Sequence, residues 1–323
     1  MKHKIFLCIC ALFFAATSHV PAETTFQKAS FLPQWSPQAQ FAGYYVAYEK
    51  GIYKKYGLDI TVIQGGPDIQ PARMLEEGTV DFVTLWLSSA IRENDRGAEM
   101  VNIAQMMQKS ALMLIAKKSS GIYKPEDINN RKVSLWGDIF RIQPLEFFRK
   151  FDLTVTVIPQ SYSVNLFLRD GVDVVSAMWY NEYHTILNSG YDAGELTTFF
   201  YYDYGLNFPE DGVYANKDYF EKNPQLCRSF VKASLEGWQY AFEHQEEALD
   251  IIVKYMEAAH IPANRAHQKW MLERIKDLMT DGNSAKPSGQ LSENDYIYVS
   301  GCLRESGLIK SVSEFSDFYK DCR

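Results

Sequence analysis

The usual signatures of metal, redox and membrane-spanning chemistry are missing from this chain. It has no CxxC pair and no His/Cys cluster at metal-ligand spacing, so structural zinc and dithiol catalysis lack support. No apolar run is long enough to span a bilayer; Ile5–Ala16 is too short to cross about 30 Å of hydrocarbon as a helix. Positive charge is in deficit, with 33 Lys and Arg against 40 Asp and Glu and a formal net charge of -7. Nothing electrostatic therefore favours nucleic acid or an anionic membrane face. Low-complexity tracts, an internal repeat of fixed period and a Gly-x-Ser-x-Gly nucleophile elbow are also absent.

Cysteine is scarce. Cys8 and Cys10 fall inside the apolar run, which follows two lysines and a histidine in Met1–Lys4 and ends near Thr17-Ser18. That pattern is a signal peptide, and Val20-Pro21-Ala22 predicts cleavage after Ala22. An exported chain would keep Cys227, Cys302 and Cys322, enough for one disulfide and one spare thiol. Cys302–Cys322 is the favoured pairing, because it would tie down a polar C-terminal tail.

What is present is an α/β protein of two lobes. With 323 residues, 46% hydrophobic and 23% charged, the chain suits two compact units of about 100–200 residues each. The stretch Gln34–Gly66 sets the plan: a loop bearing Trp35, a helix over Phe41–Tyr56 with aromatics on one face, and a β-branched strand at Asp59–Gln64 stopped by Gly65-Gly66-Pro67. Strands and helices then alternate. Lys28–Leu32, Val80–Leu85, Val101–Gln108 and Ala111–Ala116 read as strands of the first lobe, with helices at Gln70–Glu77 and Leu87–Arg96. A break at Ser119–Lys124 is the expected first crossing. Strands at Lys132–Leu135, Val155–Ile158, Asp173–Met178 and Leu196–Phe200 make the second lobe, and right-handed crossovers predict sheets parallel at their centres. Asn207–Tyr214 is the return crossing. Four helices close the chain, from Pro224 to Ser306, with a polar loop at Asp281–Gly289. The predicted division is a leader over 1–22, lobe 1 over 23–118 and 212–323, and lobe 2 over 119–211.

Several motifs are specific. Gln34-Trp35, Phe41-Ala-Gly-Tyr-Tyr, Glu49-x-Gly-Ile-Tyr, Tyr56-Gly-Leu-Asp, Gly65-Gly66, Gly78-x-Val-Asp, Met178-Trp-Tyr-Asn-Glu-Tyr183 and Pro209-Glu-Asp-Gly-Val-Tyr214 together resemble the NMT1/THI5-like family, over roughly Lys28 to Met256. Its members are mainly solute-binding proteins of ABC importers, with a eukaryotic branch of thiamine-pyrimidine synthases. The resemblance implies a periplasmic binding protein fold of type II, with ligand in the cleft between two α/β lobes. It also implies a monomer working with an ABC permease in the inner membrane, in the periplasm, without a cofactor. The last two motifs are similar to those of bacterial carriers of pyrimidine thiamine precursors.

Ligands of open α/β sheets lie outside the carboxyl ends of the strands. Here that rule selects the loops Gln34–Ala39, Trp86–Ser89, Trp136–Arg141 and Trp179–Glu182, each with an indole suited to a planar ring. Gln34, Trp35, Trp86, Ser88, Trp136, Trp179 and Tyr180 are the candidates, with Tyr44 the helix residue best placed to reach the cleft. Asn181 and Glu182 offer donors and an acceptor to the edge of an aminopyrimidine, although both residue types also favour a helix N-terminus. Glu210 and Asp211 are candidates in the return crossing, where Asp-Gly is equally a turn. Arg141, ahead of a helix, is an anion-binding candidate, yet Phe140 obstructs the backbone approach a phosphate needs. An unphosphorylated pyrimidine is the expected ligand; a flavin or a sulfonate, or delivery to a sensor, are the alternatives. Catalysis is not expected, because Leu85 and Ser89 stand where the resemblance places the synthases' lysine and histidine, and Phe208–Gly212 replaces their cysteine-rich loop.

Overall fold

The computed structural model describes residues 26–280 and 287–323. The expected leader with its Ala22 cleavage site, Cys8 and Cys10, and most of the polar loop after Thr280 lie outside the described residues.

The first lobe opens with β1 (Gln27–Leu32), α1 (Ala42–Glu49), α2 (Ile52–Lys55), β2 (Leu58–Val62), α3 (Pro71–Glu76), β3 (Phe82–Leu85), α4 (Leu87–Asp95) and β4 (Met100–Gln105). The second contains β5 (Leu112–Lys117), β6 (Lys132–Leu135), α5 (Ile142–Lys150), β7 (Thr156–Pro159), α6 (Asn165–Leu168), β8 (Val174–Met178), α7 (Glu182–Asn188) and β9 (Leu196–Phe200). The chain returns through β10 (Gly212–Asn216) to α8 (Lys217–Lys222), α9 (Pro224–Glu243), α10 (Gln245–Ala258), α11 (Arg265–Met279), α12 (Glu293–Glu305) and α13 (Phe315–Phe318). Among these, no helix is long and apolar enough to cross a membrane.

Two five-stranded sheets result, ordered β2-β1-β3-β10-β4 and β7-β6-β8-β5-β9. β1 is parallel to β2 and β3, and β6 to β7 and β8, as short crossovers require. The sheets are mixed rather than parallel throughout. β10 runs antiparallel between β3 and β4, and β5 antiparallel between β8 and β9, because each strand enters its sheet from the other lobe. β5 pairs entirely within the second sheet, so the first crossing is Met106–Ala111, ahead of the expected Ser119–Lys124. An evenly apolar strand such as ALMLIA is buried on both faces and carries no mark of which sheet takes it.

The terminal helices pack largely on the first lobe. α9 crosses α1 where Gly43 meets Trp238: a Cβ on Gly43 would lie 2.2 Å from the indole, and one on Gly237 would lie 2.3 Å from the Gly43 carbonyl. The two glycines let the backbones approach, and Trp238 fills the gap they leave.

The expected Cys302–Cys322 disulfide is corrected by the structure, in which Cys227, Cys302 and Cys322 are free and buried. Cys302 on α12 packs with Tyr296 and Leu303, whereas Cys322 packs in the same core cluster as Cys227. Backbone pairing does the job assigned to the disulfide: Tyr319 bridges to Asn102, and the Lys320 N–H donates to the Asn102 carbonyl at 2.9 Å.

Candidate functional site

The strand-end loops of both lobes face one cavity of about 610 Å³. After β1, the Gln34 N–H donates to Thr84 Oγ1 of β3 at 2.9 Å, which aims Gln34 and Trp35 across the cleft. After β3, Trp86 leads into α4 and forms a second wall. From the opposite lobe, Trp136 follows β6, Gln160–Tyr162 follow β7, and Tyr180, Asn181 and Glu182 follow β8. The rims meet through aromatic edges: Trp35 lies 5.7 Å from Tyr162 and Trp86 lies 4.7 Å from Phe140, centroid to centroid. Trp136 is fixed by its indole N–H donating to the Ser161 carbonyl at 3.0 Å.

Glu182 is the acidic group of this cavity. One carboxylate oxygen accepts the Met178 N–H at 2.9 Å, and the other accepts the Asn181 side-chain amide at 2.9 Å. Burial of the carboxylate dominates these bonds and pushes its pKa up to about 7. Asn181 is the N-cap of α7 but makes no side-chain capping bond; its amide oxygen instead meets His267 Nε2 at 2.9 Å.

Of the remaining residues predicted from sequence, several have other positions. Trp179 turns away from the cavity, against Phe200 at 5.4 Å, with the Arg274 guanidinium 5.0 Å over its ring. Within the Trp179–Glu182 turn only Trp179 faces away, and Tyr180, Asn181 and Glu182 all line the cavity. Tyr44 lies in the core between Phe31 and Trp238, and Ser88 is buried in the first turn of α4. Neither lines the cavity. Arg141 is exposed at the end of a 3-10 turn over Asp138–Arg141 and also stays outside it.

Glu210 and Asp211 sit behind the cavity wall, joining the crossings. Glu210 Oε1 accepts the Ala111 N–H at 2.7 Å and the Ser110 hydroxyl at 3.0 Å, while its own carbonyl accepts Gln105 Nε2 at 2.7 Å. Burial, reinforced by the neighbouring Asp211 charge, pushes Glu210 up to about 8. Asp211 adopts a left-handed φ of 50° and accepts the side-chain amides of Gln34 and, at 2.7 Å, Gln40. Its pKa is pushed up to about 7 by burial. Asp211 thus orients two glutamines that reach the cavity, Glu210 ties the two crossings together, and neither acid faces the cavity itself.

Gln40, Gln160, Ser161 and Tyr162 were absent from the sequence-based set, though they line the cavity. The strand-end rule applied to Val155–Ile158 would have found the last three. Gln40 had no such signal, since it is brought to the site by a 3-10 turn over Ala39–Phe41. Among the described residues, no lysine, arginine or histidine lines the cavity, and no group of three or more His, Cys, Asp or Glu is arranged to hold a metal. An aromatic cavity with amides and one carboxylate has the chemistry to hold a planar, uncharged or cationic ring that donates hydrogen bonds.

Comparison with known proteins gives consistent likenesses. The formylaminopyrimidine-binding protein of Halalkalibacterium halodurans is 20% identical over 302 residues, covering 87% of each chain. The riboflavin-binding protein of Chloroflexus aurantiacus is 22% identical over 249 residues, 74% of this chain and 70% of the relative. The crystal structure of the periplasmic aliphatic sulphonate binding protein of Escherichia coli superposes with a TM-score of 0.71 at 16% identity, covering 90% of this chain and 91% of that one. The two lobes accordingly have the periplasmic binding protein fold. Residues 38–248 match the model of the family described as NMT1/THI5 like, and the chain belongs to that family.

Proposed function

We infer that this solute-binding protein carries an uncharged aminopyrimidine, of the formylaminopyrimidine or hydroxymethylpyrimidine kind, to an ABC permease of the inner membrane. It would act as a monomer in the periplasm, after removal of its leader at Ala22. The observation that carries this function is Glu182, a half-buried carboxylate beside Asn181 in an aromatic cavity with no cationic side chain among the described lining residues. An exocyclic amine donates to such a carboxylate, and the indoles of Trp35, Trp86 and Trp136 cover the ring faces. The named formylaminopyrimidine carrier, matched over most of both chains, supports the same ligand class.

A sulfonate fits poorly, since a bare anion would meet Glu182 with no positive partner among the described lining residues. Riboflavin is the second ligand: about 610 Å³ exceeds what one pyrimidine fills, three indoles suit an isoalloxazine, and one relative is named for it. Transport fits these groups better than catalysis. Leu85 is buried at the end of β3 and Ser89 lies on α4, so neither supplies the amine or imidazole that the synthase branch uses.

Tryptophan emission of the purified protein should quench on titration with formylaminopyrimidine or hydroxymethylpyrimidine. No response to either, beside a clear response to riboflavin, would reverse the assignment.

A further inference from the structure

Outside the cavity, a second polar cluster joins the lobes. α11, which packs on α10 and on the Ala39–Phe41 turn of lobe 1, sends His267, Trp270 and Arg274 against the β8–α7 turn of lobe 2. The Trp270 indole N–H donates to the Trp179 carbonyl at 3.1 Å. His184 of α7 lies flat on Trp270, with centroids 4.9 Å apart and planes 6° from parallel. The two imidazoles meet directly: His184 Nδ1 lies 2.8 Å from His267 Nδ1.

Hydrogen-bond bookkeeping fixes the tautomers. Asn181 donates its amide N–H to Glu182, so its oxygen faces His267, and His267 Nε2 must carry the proton that reaches it. Neutral His267 then has an unprotonated Nδ1, which accepts from His184 Nδ1–H, and in this tautomer the Asn188 amide, 3.2 Å from His184 Nδ1, presents its oxygen to that N–H. One unbroken chain runs from His184 through His267 and Asn181 to the cavity carboxylate. A first added proton is tolerated on His184 Nε2. A second must go onto His267 Nδ1, where it sets two N–H groups head to head and breaks the bond between lobes.

Few other charges face this pair. Glu182 lies across Asn181 from lobe 2, Arg274 lies across Trp270 from α11, and Asn188 is the polar neighbour on α7 at 3.2 Å. Arg265 and Lys269, also on α11, are paired with Glu246 and Asp250 of α10.

We propose, on the footing that the cleft is the ligand site, that His267 is a positioning residue for Asn181 and Glu182 and forms with His184 a proton-sensitive latch that holds the lobes closed. Burial lowers the pKa of both histidines, and the charge of His184 lowers that of His267 further. The latched state therefore binds fewer protons than the open one. It is fully stable above the ordinary histidine range of about 6.5 and weakens as pH falls below it.

The test compares wild type with His267→Gln and His267→Leu. Glutamine can donate to Asn181 and accept from His184 without titrating; leucine can do neither. With hydroxymethylpyrimidine as probe, the wild-type release rate should rise severalfold from about pH 7.5 to about pH 5.5, across the ordinary histidine range. His267→Gln should release the probe at the wild-type rate at the higher pH and lose the histidine share of the acid acceleration, keeping only what protonation of Glu182 adds, while His267→Leu should release it fast at both. An acid acceleration unchanged in His267→Gln would overturn the latch. A readout without ligand separates this from failure of the pyrimidine assignment: imidazolium quenches a stacked indole, so emission absent from Trp270→Phe should fall on acidification. If the probe does not bind but that quenching follows the His267 substitutions, the latch stands and the ligand is wrong. If emission from Trp270 is flat with pH, the latch is wrong whatever binds.

Discussion

Replacement of Glu182 by glutamine tests the ligand assignment at its narrowest point. The carboxylate holds the Met178 N–H and the Asn181 amide, each at 2.9 Å, and glutamine preserves size and one acceptor oxygen. What disappears is the charge offered to a donating amine, together with one of the two internal bonds, because only one of the Met178 and Asn181 donors can still meet an oxygen. A hydrogen bond to a charged group is worth about 1.5–3 kcal/mol. With its pKa pushed up to about 7, some half of the carboxylates are neutral at neutral pH. The expected loss is therefore about 1–2 kcal/mol, or roughly 5–30-fold in Kd. The sign of the pH effect follows: ligand prefers the ionised acid and lowers its pKa on binding, so wild-type affinity should rise from about pH 6 to about pH 8. Glutamine should remove the Glu182 share of that rise and leave the histidine share. Calorimetric titration of both proteins with hydroxymethylpyrimidine at the two pH values measures each term. Equal affinities with parallel pH profiles would refute the role assigned here and leave Glu182 as a group at a helix start.

Other outcomes follow from the fold. Glu210 is ionised at a cost in the native protein, with a pKa pushed up to about 8, so its stability contribution is full below the ordinary glutamate range and is lost as pH rises through about 8. Thermal melts should show Tm falling over that window, and Glu210→Gln should reduce the slope; Glu210→Ala should cost about 1–3 kcal/mol by stranding the Ala111 N–H. Gly43→Ala should destabilise by about 1–3 kcal/mol through overpacking, because its Cβ would sit 2.2 Å from Trp238; denaturant midpoints check this, and a neutral result would mean α9 can move aside. Denatured without reductant, the protein should alkylate at Cys227, Cys302 and Cys322 alike, and a mass deficit of two hydrogens would instead reveal a disulfide.

Local pattern carried much of the architecture. Period-2 and period-3.6 runs marked most strands and helices, since each element must bury one face or both whatever its neighbours are; β10, read as part of the return crossing, and the short α8 and α13 escaped them, and the helix expected over Phe41–Tyr56 is divided into α1 and α2. The rule that ligands sit at carboxyl ends of strands brought Gln34, Trp35, Trp86, Trp136, Tyr180, Asn181 and Glu182 together before any coordinates did, and all seven line the cavity. The same rule could not orient them. Trp179 and Tyr180 are adjacent in one turn, yet only backbone direction sends one indole outward under Arg274 and the neighbouring phenol inward. Composition likewise made Glu182 and Glu210 look alike.

Alone, the chain's sequence determined two α/β lobes and an aromatic cleft with an acidic group on its wall, because hydrophobic period and strand-end position are local properties. Tertiary structure decided which sheet received β5, that Cys302 lies in a different core cluster from Cys322, and that Glu210 fastens the crossings while Glu182 meets the cavity. It alone brought His267 to Asn181, 86 positions away, within 2.9 Å. Contacts between residues so far apart depend on how helices pack across lobes, and no periodicity within either segment records that.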